Sequence, residues 1–140
     1  MNKASSVFDC TIVTLNKNHQ LKGNLTAVTN GDQVPFDVKR LYYLYDIPGG
    51  LNRGGHAHVA LQQFVVALSG SFDITLDDGS SKRTFQLSRP NVGLLLPAGL
   101  WRELSNFSSG SICMVLASEE YDEADYIRNY QDFQLWKSSK

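Results

Sequence analysis

Residues 71–87 read SFDITLDDGSSKRTFQL, and this stretch decides the fold class. Apolar and polar side chains alternate through Ser71–Leu76 and again through Thr84–Leu87, which is the period of a strand with one buried face. Between the two runs stands Asp78-Gly79, a dipeptide that favours the tight turn of a β-hairpin. The stretch therefore predicts two antiparallel strands joined by a short turn.

On both sides of this hairpin the chain consists of short runs rich in β-branched and aromatic residues, separated by turn residues. The further predicted strands are Thr11–Leu15, Leu25–Val28, Val38–Tyr45, Phe64–Leu68, Val92–Leu96 and Ser111–Ala117. Many short strands at regular spacing are typical of a β-sandwich or a small β-barrel. The predicted fold class is therefore all-β.

One segment near the C-terminus favours a helix instead. It begins at Tyr121 and reads YDEADYIRNYQDF, in which Asp122 can cap a helix and Asp125 suits its first turn. The side chains that would share one face, at spacings of four and three, are Tyr126, Tyr130 and Phe133. We predict a short C-terminal helix whose aromatic side chains pack against the strands.

The 140 residues fit a single domain. We divide it into N-terminal strands (1–30), a barrel (31–118) and a helical tail (119–140). With 42% hydrophobic and 19% charged residues, the composition excludes a disordered chain, a collagen and a coiled coil. Thirteen basic and fourteen acidic residues give a formal charge of −1, so we expect no nucleic-acid partner.

No apolar run approaches the ~20 residues of a membrane helix, and the first ten residues lack the apolar segment of a signal peptide. Cys10 and Cys113 stand far apart in the chain without CxxC spacing. Buried free thiols are therefore favoured over a disulfide between them. We expect a cytoplasmic protein that does not associate with membranes.

Two of the three histidines lie in the segment Arg53-Gly-Gly-His-Ala-His58. Because side chains alternate along a strand, His56 and His58 should point to the same side. Two imidazoles on one face suit a metal site or acid–base catalysis, and the alternative is a pair of surface histidines. The third, His19, stands among polar residues and is expected to be exposed.

Around these histidines the sequence resembles the first motif of the cupin superfamily. That motif contains HxH, then a glutamate, and a glycine seven positions after the glutamate. Here His56 and His58 are followed by Gln63 in place of the glutamate and then by Gly70. The resemblance implies a small cupin jelly-roll β-barrel whose cavity collects the motif residues.

The second cupin motif is matched in every spacing between Pro97 and Asn106, except that Arg102 stands where cupins have a histidine. A cupin metal site needs about three histidines and a carboxylate. This chain supplies two histidines, an amide and a guanidinium, and a guanidinium is permanently cationic and cannot bind a metal. We therefore expect neither a metal nor another cofactor.

A wider set of segments resembles one cupin family, the dTDP-sugar 3,4-ketoisomerases. The matching segments are Val38–Tyr45, Arg53–His58, Leu76–Gly79, Val92–Pro97, Trp101–Leu104, Met114–Ser118 and Tyr121–Tyr130. The resemblance implies a homodimeric isomerase that converts dTDP-4-keto-6-deoxy-glucose into a dTDP-3-keto-6-deoxyhexose, for the synthesis of 3-amino-3,6-dideoxyhexoses. The proton would move through an enediol(ate), without a metal.

This chain departs from the family at two positions. Lys22-Gly23 stands where members often carry Arg-Gly, and Arg102 stands where they often carry histidine. The second departure leaves the configuration of the product at C4 open.

The same resemblance suggests roles for the catalytic residues. Either His56 or His58 would take the C3 proton, and His58 is favoured because it lies deeper along its strand. The resemblance also implies a catalytic tyrosine within Tyr42–Tyr45. We select Tyr43, which shares a face with the neighbouring apolar side chains, while the parity of the strand leaves Tyr42 open.

Four further side chains are predicted to bind the substrate. Arg102 would stabilise the enediolate oxygen or hold the diphosphate. Arg53 and Arg40 are further candidates for the phosphates. Gln63 would bind a sugar hydroxyl or fix the tautomer of a histidine.

Three other functions fit parts of the sequence. A dTDP-sugar 3,5-epimerase also removes a proton next to a 4-ketone, but it pairs histidine with a carboxylate, and no Asp or Glu adjoins His56 or His58 in the sequence. A cupin that binds a nucleotide sugar without catalysis would show binding and no turnover. A metal cupin would contain a metal on elemental analysis.

Overall fold

The computed structural model describes residues 2–139. The strands are β1 (Thr11–Thr14), β2 (Asn18–Gln20), β3 (Gly23–Leu25), β4 (Arg40–Leu44), β5 (Arg53–His58), β6 (Gln63–Ser69), β7 (Phe72–Asp77), β8 (Lys82–Leu87), β9 (Val92–Leu96), β10 (Trp101–Ser105), β11 (Ile112–Ala117) and β12 (Tyr126–Ile127). The helical segments are the 3₁₀ turns Asn2–Ala4, Val7–Asp9 and Glu123–Asp125 and the helix α1 (Tyr130–Ser138). None of the helical segments within residues 2–139 is long and apolar enough to cross a lipid bilayer.

Ten of the twelve strands form two five-stranded antiparallel sheets, in the orders β1-β9-β6-β11-β4 and β12-β5-β10-β7-β8, and β2 and β3 form a separate hairpin. The eight consecutive strands β4–β11 are divided between the sheets as in a jelly roll. Apolar side chains of both sheets meet in one buried core, among them Val65 and Val115 from the first sheet and Ile74 and Leu104 from the second. The all-β jelly-roll prediction is confirmed.

The hairpin predicted at residues 71–87 is present as β7 and β8, with Ile74 opposite Phe85. In its turn, the Asp77 carboxylate accepts a hydrogen bond from the Gly79 amide at 2.7 Å. Gly79 has a φ of +90°, a backbone conformation that residues other than glycine rarely adopt. The prediction missed β2 and β10, and of the strand predicted at Leu25–Val28 only Leu25 is in a regular strand, at the end of β3.

The predicted C-terminal helix needs correction at its beginning. Helix α1 begins at Tyr130, and the side chain of its N-cap, Asn129, accepts a hydrogen bond from the Asp132 amide at 3.0 Å. Asp122 instead caps the 3₁₀ turn Glu123–Asp125. The chain then forms β12, in which Tyr126 lies opposite His58 of β5. The edge of β5 needs hydrogen-bond partners, and this tertiary pairing overrides the local helical pattern.

The aromatic packing of the helix is confirmed for two of its three predicted residues. Tyr130 and Phe133 both contact Trp101, with ring centroids 5.3 and 5.9 Å from that side chain. Tyr126 packs against the histidines of β5 instead. The helix therefore covers the outside of the second sheet, while the segment before it reaches the candidate site.

Cys10 and Cys113 are buried free thiols, as predicted. Burial is the main cause that raises the pKa of each thiol to about 12. Both are therefore uncharged near neutral pH and pack as small apolar side chains.

Gly93→Ala should destabilise the protein strongly. Gly93 lies in β9, and a Cβ atom there would overlap the ring of Phe64, which is fully buried. Overpacking of this kind costs about 1–3 kcal/mol of the free energy of unfolding, which urea denaturation measures. The control is Gly49→Ala, since nothing lies within 4 Å of a Cβ atom at Gly49. Equal urea denaturation midpoints for the two variants would contradict the prediction and would show that β9 can move away from Phe64.

Candidate active site

The two histidines of β5 face the inside of the molecule together. His56 is 8% exposed and His58 is 4% exposed. Their Nε2 atoms lie 3.1 Å apart, and the two rings stand nearly perpendicular at 88°. The prediction that both imidazoles project to the same side is confirmed, and the alternative of two surface histidines is wrong.

Both imidazoles are neutral near pH 7. Burial is the main cause that lowers the pKa of His56 to about 3 and that of His58 to about 2, and the positive charge of Arg102 lowers both further. One neutral imidazole carries one N–H donor and one acceptor nitrogen. In the hydrogen bond between the two rings, one Nε2 therefore carries a hydrogen and donates it, and the other Nε2 accepts.

The low pKa values of these histidines predict a loss of stability in acid. Between pH 6.5, the ordinary histidine pKa, and about pH 3, the unfolded chain binds protons that the folded protein does not. The free energy of unfolding should therefore fall as the pH falls, by about 2 kcal/mol for each histidine at pH 5.

Urea denaturation of the wild type and of His58→Asn, each at pH 7 and pH 5, measures this effect. The variant should lose less stability between the two pH values, because its side chain no longer titrates. His19→Asn is the matched control, since His19 is exposed, as predicted. An equal acid response in the wild type and His58→Asn would contradict the prediction.

Beside His56 lies a cavity of about 330 Å³ between the two sheets. Four arginines line it: Arg40, Arg53, Arg102 and Arg128. No Asp or Glu of residues 2–139 belongs to this lining. Such a cavity attracts an anionic ligand, and guanidinium groups suit phosphates because they donate two parallel hydrogen bonds.

The structure brings the predicted Arg40, Arg53 and Arg102 together in this cavity, and it adds Arg128, which the sequence reasoning missed. Arg128 forms a two-pronged ion pair with Glu123, at 2.6 and 2.9 Å. It is exposed, and it reaches the cavity only because β12 pairs with the edge of β5. The sequence pattern predicts a continuous helix from residue 121 onward, and a helix there would not place Arg128 beside the cavity.

Of the two tyrosines in the middle of β4, Tyr42 lines the cavity and the selected Tyr43 does not, so the structure corrects that choice. Tyr42 lines the cavity together with Arg40 and Leu44. Tyr43 lies on the opposite face of β4 and is 56% exposed. The face that carries Tyr43 is the more apolar one, which suggested that it points inward. The inward face is the more polar one because it borders the cavity as well as the core.

The hydroxyl oxygen of Tyr42 accepts two hydrogen bonds. The Gln63 amide nitrogen donates at 3.0 Å, and an Arg102 guanidinium nitrogen donates at 3.2 Å. Neither donating nitrogen can accept the phenolic proton in return, so that proton is left for an acceptor in the cavity. Gln63 is buried behind Tyr42 and holds a phenol, whereas the sequence suggested a sugar hydroxyl or a histidine tautomer.

Tyr126 forms an aromatic wall against both histidines, and the sequence reasoning missed this role. Its ring centroid lies 5.0 Å from that of His56 and 4.3 Å from that of His58. The guanidinium of Arg128 also lies over this ring, 4.2 Å from its centroid. Tyr126 therefore excludes water from the histidines and supports Arg128 at the same time.

A carboxylate lies beside His58 after all. Oδ2 of Asp125 is 3.4 Å from Nδ1 of His58. The argument against an epimerase relied on the absence of a carboxylate near the histidines in the sequence, and that argument is therefore wrong. Asp125 stands 67 positions after His58, so only the pairing of β12 with β5 brings the two together.

The residues of this site do not suit a divalent metal. Within residues 2–139, no three His, Cys, Asp or Glu side chains converge as a metal site requires. Arg102, in the cupin histidine position, lies opposite His56 in the neighbouring strand β10. Its positive charge would repel a metal ion from the histidines.

Comparison with known proteins identifies relatives over nearly the whole chain. The family model FdtA, described as "WxcM-like, C-terminal", matches residues 8–138. The chain is 42% identical over 125 residues to the TDP-4-oxo-6-deoxy-alpha-D-glucose-3,4-oxoisomerase of Aneurinibacillus thermoaerophilus, covering 89% of this chain and 90% of that protein.

Solved structures agree with these relatives. The chain is similar to a 3,4-ketoisomerase from Helicobacter canadensis, with a TM-score of 0.92 and 39% identity over 94% of this chain and 98% of that one. It is also similar to a variant of a 3,4-ketoisomerase from Thermoanaerobacterium thermosaccharolyticum in complex with TDP-4-keto-6-deoxyglucose. That match has a TM-score of 0.91 and 33% identity over 94% and 96% of the two chains.

The likeness to epimerases is more distant. A dTDP-4-dehydrorhamnose 3,5-epimerase from Bacillus anthracis has a TM-score of 0.76 at 18% identity, covering 88% of this chain and 80% of that one. At this level the two proteins share a fold, and the likeness carries no conclusion about activity.

Proposed function

The chain belongs to the sugar 3,4-ketoisomerase family and is an isomerase, and on that premise we propose that it converts dTDP-4-keto-6-deoxy-glucose into a dTDP-3-keto-6-deoxyhexose. The observation that carries the proposal is the convergence on one cavity of neutral His56 and the free phenolic proton of Tyr42. Two relatives support this substrate: the Aneurinibacillus thermoaerophilus relative is named for the 4-oxo-6-deoxy sugar, and the Thermoanaerobacterium thermosaccharolyticum structure is a complex with TDP-4-keto-6-deoxyglucose. Its product would supply the synthesis of 3-amino-3,6-dideoxyhexoses.

In the first half of the reaction, the C4 ketone acidifies the proton on C3. An imidazole of the histidine pair takes that proton, and the C3–H electron pair forms the C3=C4 double bond. The former ketone oxygen becomes an enediolate oxygen, which receives the hydrogen bond or the proton of Tyr42. Arg102 lies next to the Tyr42 hydroxyl and stabilises the negative charge.

In the second half, the C3 hydroxyl becomes the new ketone and gives its proton to Tyr42, which replaces the proton that Tyr42 gave to the C4 oxygen. Carbon 4 receives the proton that the histidine pair took from C3. Carbon 3 is oxidised and carbon 4 is reduced by the same two electrons. The reaction therefore balances within the sugar and needs no nicotinamide and no metal. The configuration at C4 depends on the side from which the second proton arrives.

We assign His56 rather than His58 to the contact with the sugar. His56 lines the cavity, whereas His58 is buried behind it between Tyr126 and Asp125. This assignment differs from the preference for His58 that the strand position suggested. The remaining cavity arginines, Arg40, Arg53 and Arg128, would hold the diphosphate.

Proton NMR of dTDP-4-keto-6-deoxy-glucose incubated with the protein, in ordinary and in deuterated water, tests the activity, with His56→Asn as the comparison. We expect a 3-keto sugar spectrum with the wild type, and in ordinary water, where C4 carries a proton, the C4 coupling constants give the configuration of the product. Deuterium at C3 and C5 without migration of the ketone would indicate an epimerase. An unchanged sugar with broadened thymine signals would indicate binding without catalysis. Either of these results would overturn the proposal.

A homodimer in the cytoplasm is also proposed. The outer face of the first sheet exposes apolar side chains, including Leu41 (52% exposed) and Leu68 (42% exposed), and a second copy would cover them. The free thiols of Cys10 and Cys113 fit a reducing compartment. Light scattering after gel filtration measures the mass in solution, and a monomer at micromolar concentration would contradict the dimer.

A further inference from the structure

Nδ1 of His58 is a buried nitrogen that makes no hydrogen bond to residues 2–139. A carboxylate oxygen of Asp125 lies 3.4 Å away, a few tenths of an ångström beyond a hydrogen bond. The other nitrogen of the same ring, Nε2, lies 3.1 Å from Nε2 of His56. The groups therefore form a continuous row from Asp125 through His58 to His56 and the cavity.

Asp125 is held firmly at the end of this row. Its Oδ1 accepts a hydrogen bond from the Ala60 amide at 2.8 Å, and its Oδ2 accepts one from the Leu61 amide at 3.1 Å. Its carbonyl oxygen accepts a further hydrogen bond from the Val59 amide at 3.0 Å. These three bonds tie Asp125 to the loop that follows β5, so the carboxylate keeps its position relative to His58.

We propose that Asp125 is a positioning residue, which sets the tautomers of both histidines so that Nδ1 of His56 is the atom that takes the C3 proton. An ionised carboxylate can only accept, so the neighbouring Nδ1 of His58 carries the hydrogen. Nε2 of His58 is then the acceptor, and His56 must carry its hydrogen on Nε2. The nitrogen of His56 that retains a lone pair is Nδ1.

The same row gives the proton a route, provided that the proposed isomerisation is the reaction. When Nδ1 of His56 takes the C3 proton, the hydrogen on its Nε2 can shift to Nε2 of His58. His58 becomes an imidazolium beside the Asp125 carboxylate, while the negative charge stays on the enediolate. Reversal of both shifts returns a proton to C4, so no proton is gained or lost.

The charges around His58 make such a carboxylate necessary. Arg102, Arg40 and Arg128 all disfavour a positive charge on His58, and so does a protonated His56. Tyr126 covers the ring and keeps water away from it. Asp125 is the acidic group in contact with His58, and its negative charge offsets the arginines when the imidazolium forms.

Nitrogen NMR of the folded protein, labelled with ¹⁵N in its histidines, tests the tautomers directly and needs no substrate. In the wild type, we expect a protonated Nδ1 and an unprotonated Nε2 for His58, and the reverse for His56. In Asp125→Asn the amide can donate to His58, and both assignments should invert. A wild-type His58 protonated on Nε2, or unchanged tautomers in Asp125→Asn, would overturn the proposal.

Turnover of the same variants supplies the second readout. Asp125→Asn should lower kcat by about 10²-fold or more with little change in KM, since a wrong tautomer blocks proton transfer and not binding. Asp122→Asn is the matched control, because that aspartate caps the same 3₁₀ turn and does not face His58. A kcat for Asp125→Asn equal to that of the control would overturn the proposal.

A second control separates tautomer effects from damage to the loop. Ser118→Ala removes the hydrogen bond from the Gln62 amide to the Ser118 hydroxyl, which anchors the same loop without touching a histidine. It should keep the wild-type tautomers and most of the activity. If the wild type has the expected tautomers but leaves dTDP-4-keto-6-deoxy-glucose unchanged, the proposed function fails while the positioning role of Asp125 stands.

Discussion

His56→Asn should lower kcat for the ketoisomerisation by about 10²–10⁴-fold, because an asparagine amide cannot take a proton from carbon. His56 is the histidine that lines the cavity, so its loss removes the group in contact with the sugar. His58→Asn should have a smaller effect, since His56 would remain as a proton acceptor without its relay. Initial rates at saturating substrate, followed by proton NMR, measure both effects.

The third histidine supplies the control for these substitutions. His19 lies in the exposed hairpin of β2 and β3, with its Nδ1 2.6 Å from the side-chain oxygen of Asn24. His19→Asn should retain wild-type turnover. If His58→Asn were slower than His56→Asn, the assignment of His56 to the sugar would be wrong, and the original preference for His58 would return.

The activity of the wild type should not decline near pH 6.5 as the pH is lowered. Burial and the charge of Arg102 keep the pKa of both histidines in the folded protein near 2 to 3. The free enzyme therefore keeps its imidazoles neutral through the range in which an exposed histidine would gain a proton. An acid limb at pH 6.5 in kcat/KM, measured where the protein stays folded, would contradict this.

Tyr42→Phe should lower kcat by about 10²-fold or more, because it removes the proton that the Tyr42 hydroxyl presents to the cavity. Tyr43→Phe is the matched control, since Tyr43 lies on the exposed face of the same strand and should keep wild-type turnover. The same NMR assay compares the two variants. A large loss in Tyr43→Phe with an active Tyr42→Phe would restore the original choice of Tyr43.

The loss of the Tyr42 hydroxyl also has a structural cost, which must be separated from its effect on turnover. It leaves the Gln63 amide and the Arg102 guanidinium without the acceptor they share. A buried donor without a partner costs about 1–3 kcal/mol. Urea denaturation of Tyr42→Phe should therefore show a lower free energy of unfolding, and the rates should be compared at a temperature where the variant is fully folded.

The features that depend on short-range periodicity could be predicted from the sequence alone. The hairpin of β7 and β8 follows from alternating side chains around Asp78-Gly79, and the joint direction of His56 and His58 follows from the two-residue repeat of a strand. The cupin spacing placed Arg102 near these histidines, and the structure brings Arg40 and Arg53, the other two predicted phosphate ligands, to the same cavity. These predictions hold because side chains alternate along an extended chain, so residues two positions apart must point to the same side.

The tertiary structure alone decided which face of β4 is inward and what surrounds His58. Burial patterns favour the apolar face of a strand as the inner one, but β4 borders a polar cavity and turns Tyr42 rather than Tyr43 toward it. Asp125, Tyr126 and Arg128 reach the histidines because the segment before α1 pairs with β5 rather than extending the helix. The segment pairs with β5 because the backbone groups at the edge of that strand need hydrogen-bond partners. Since β5 lies more than 60 residues earlier in the chain, no local sequence pattern predicts the pairing.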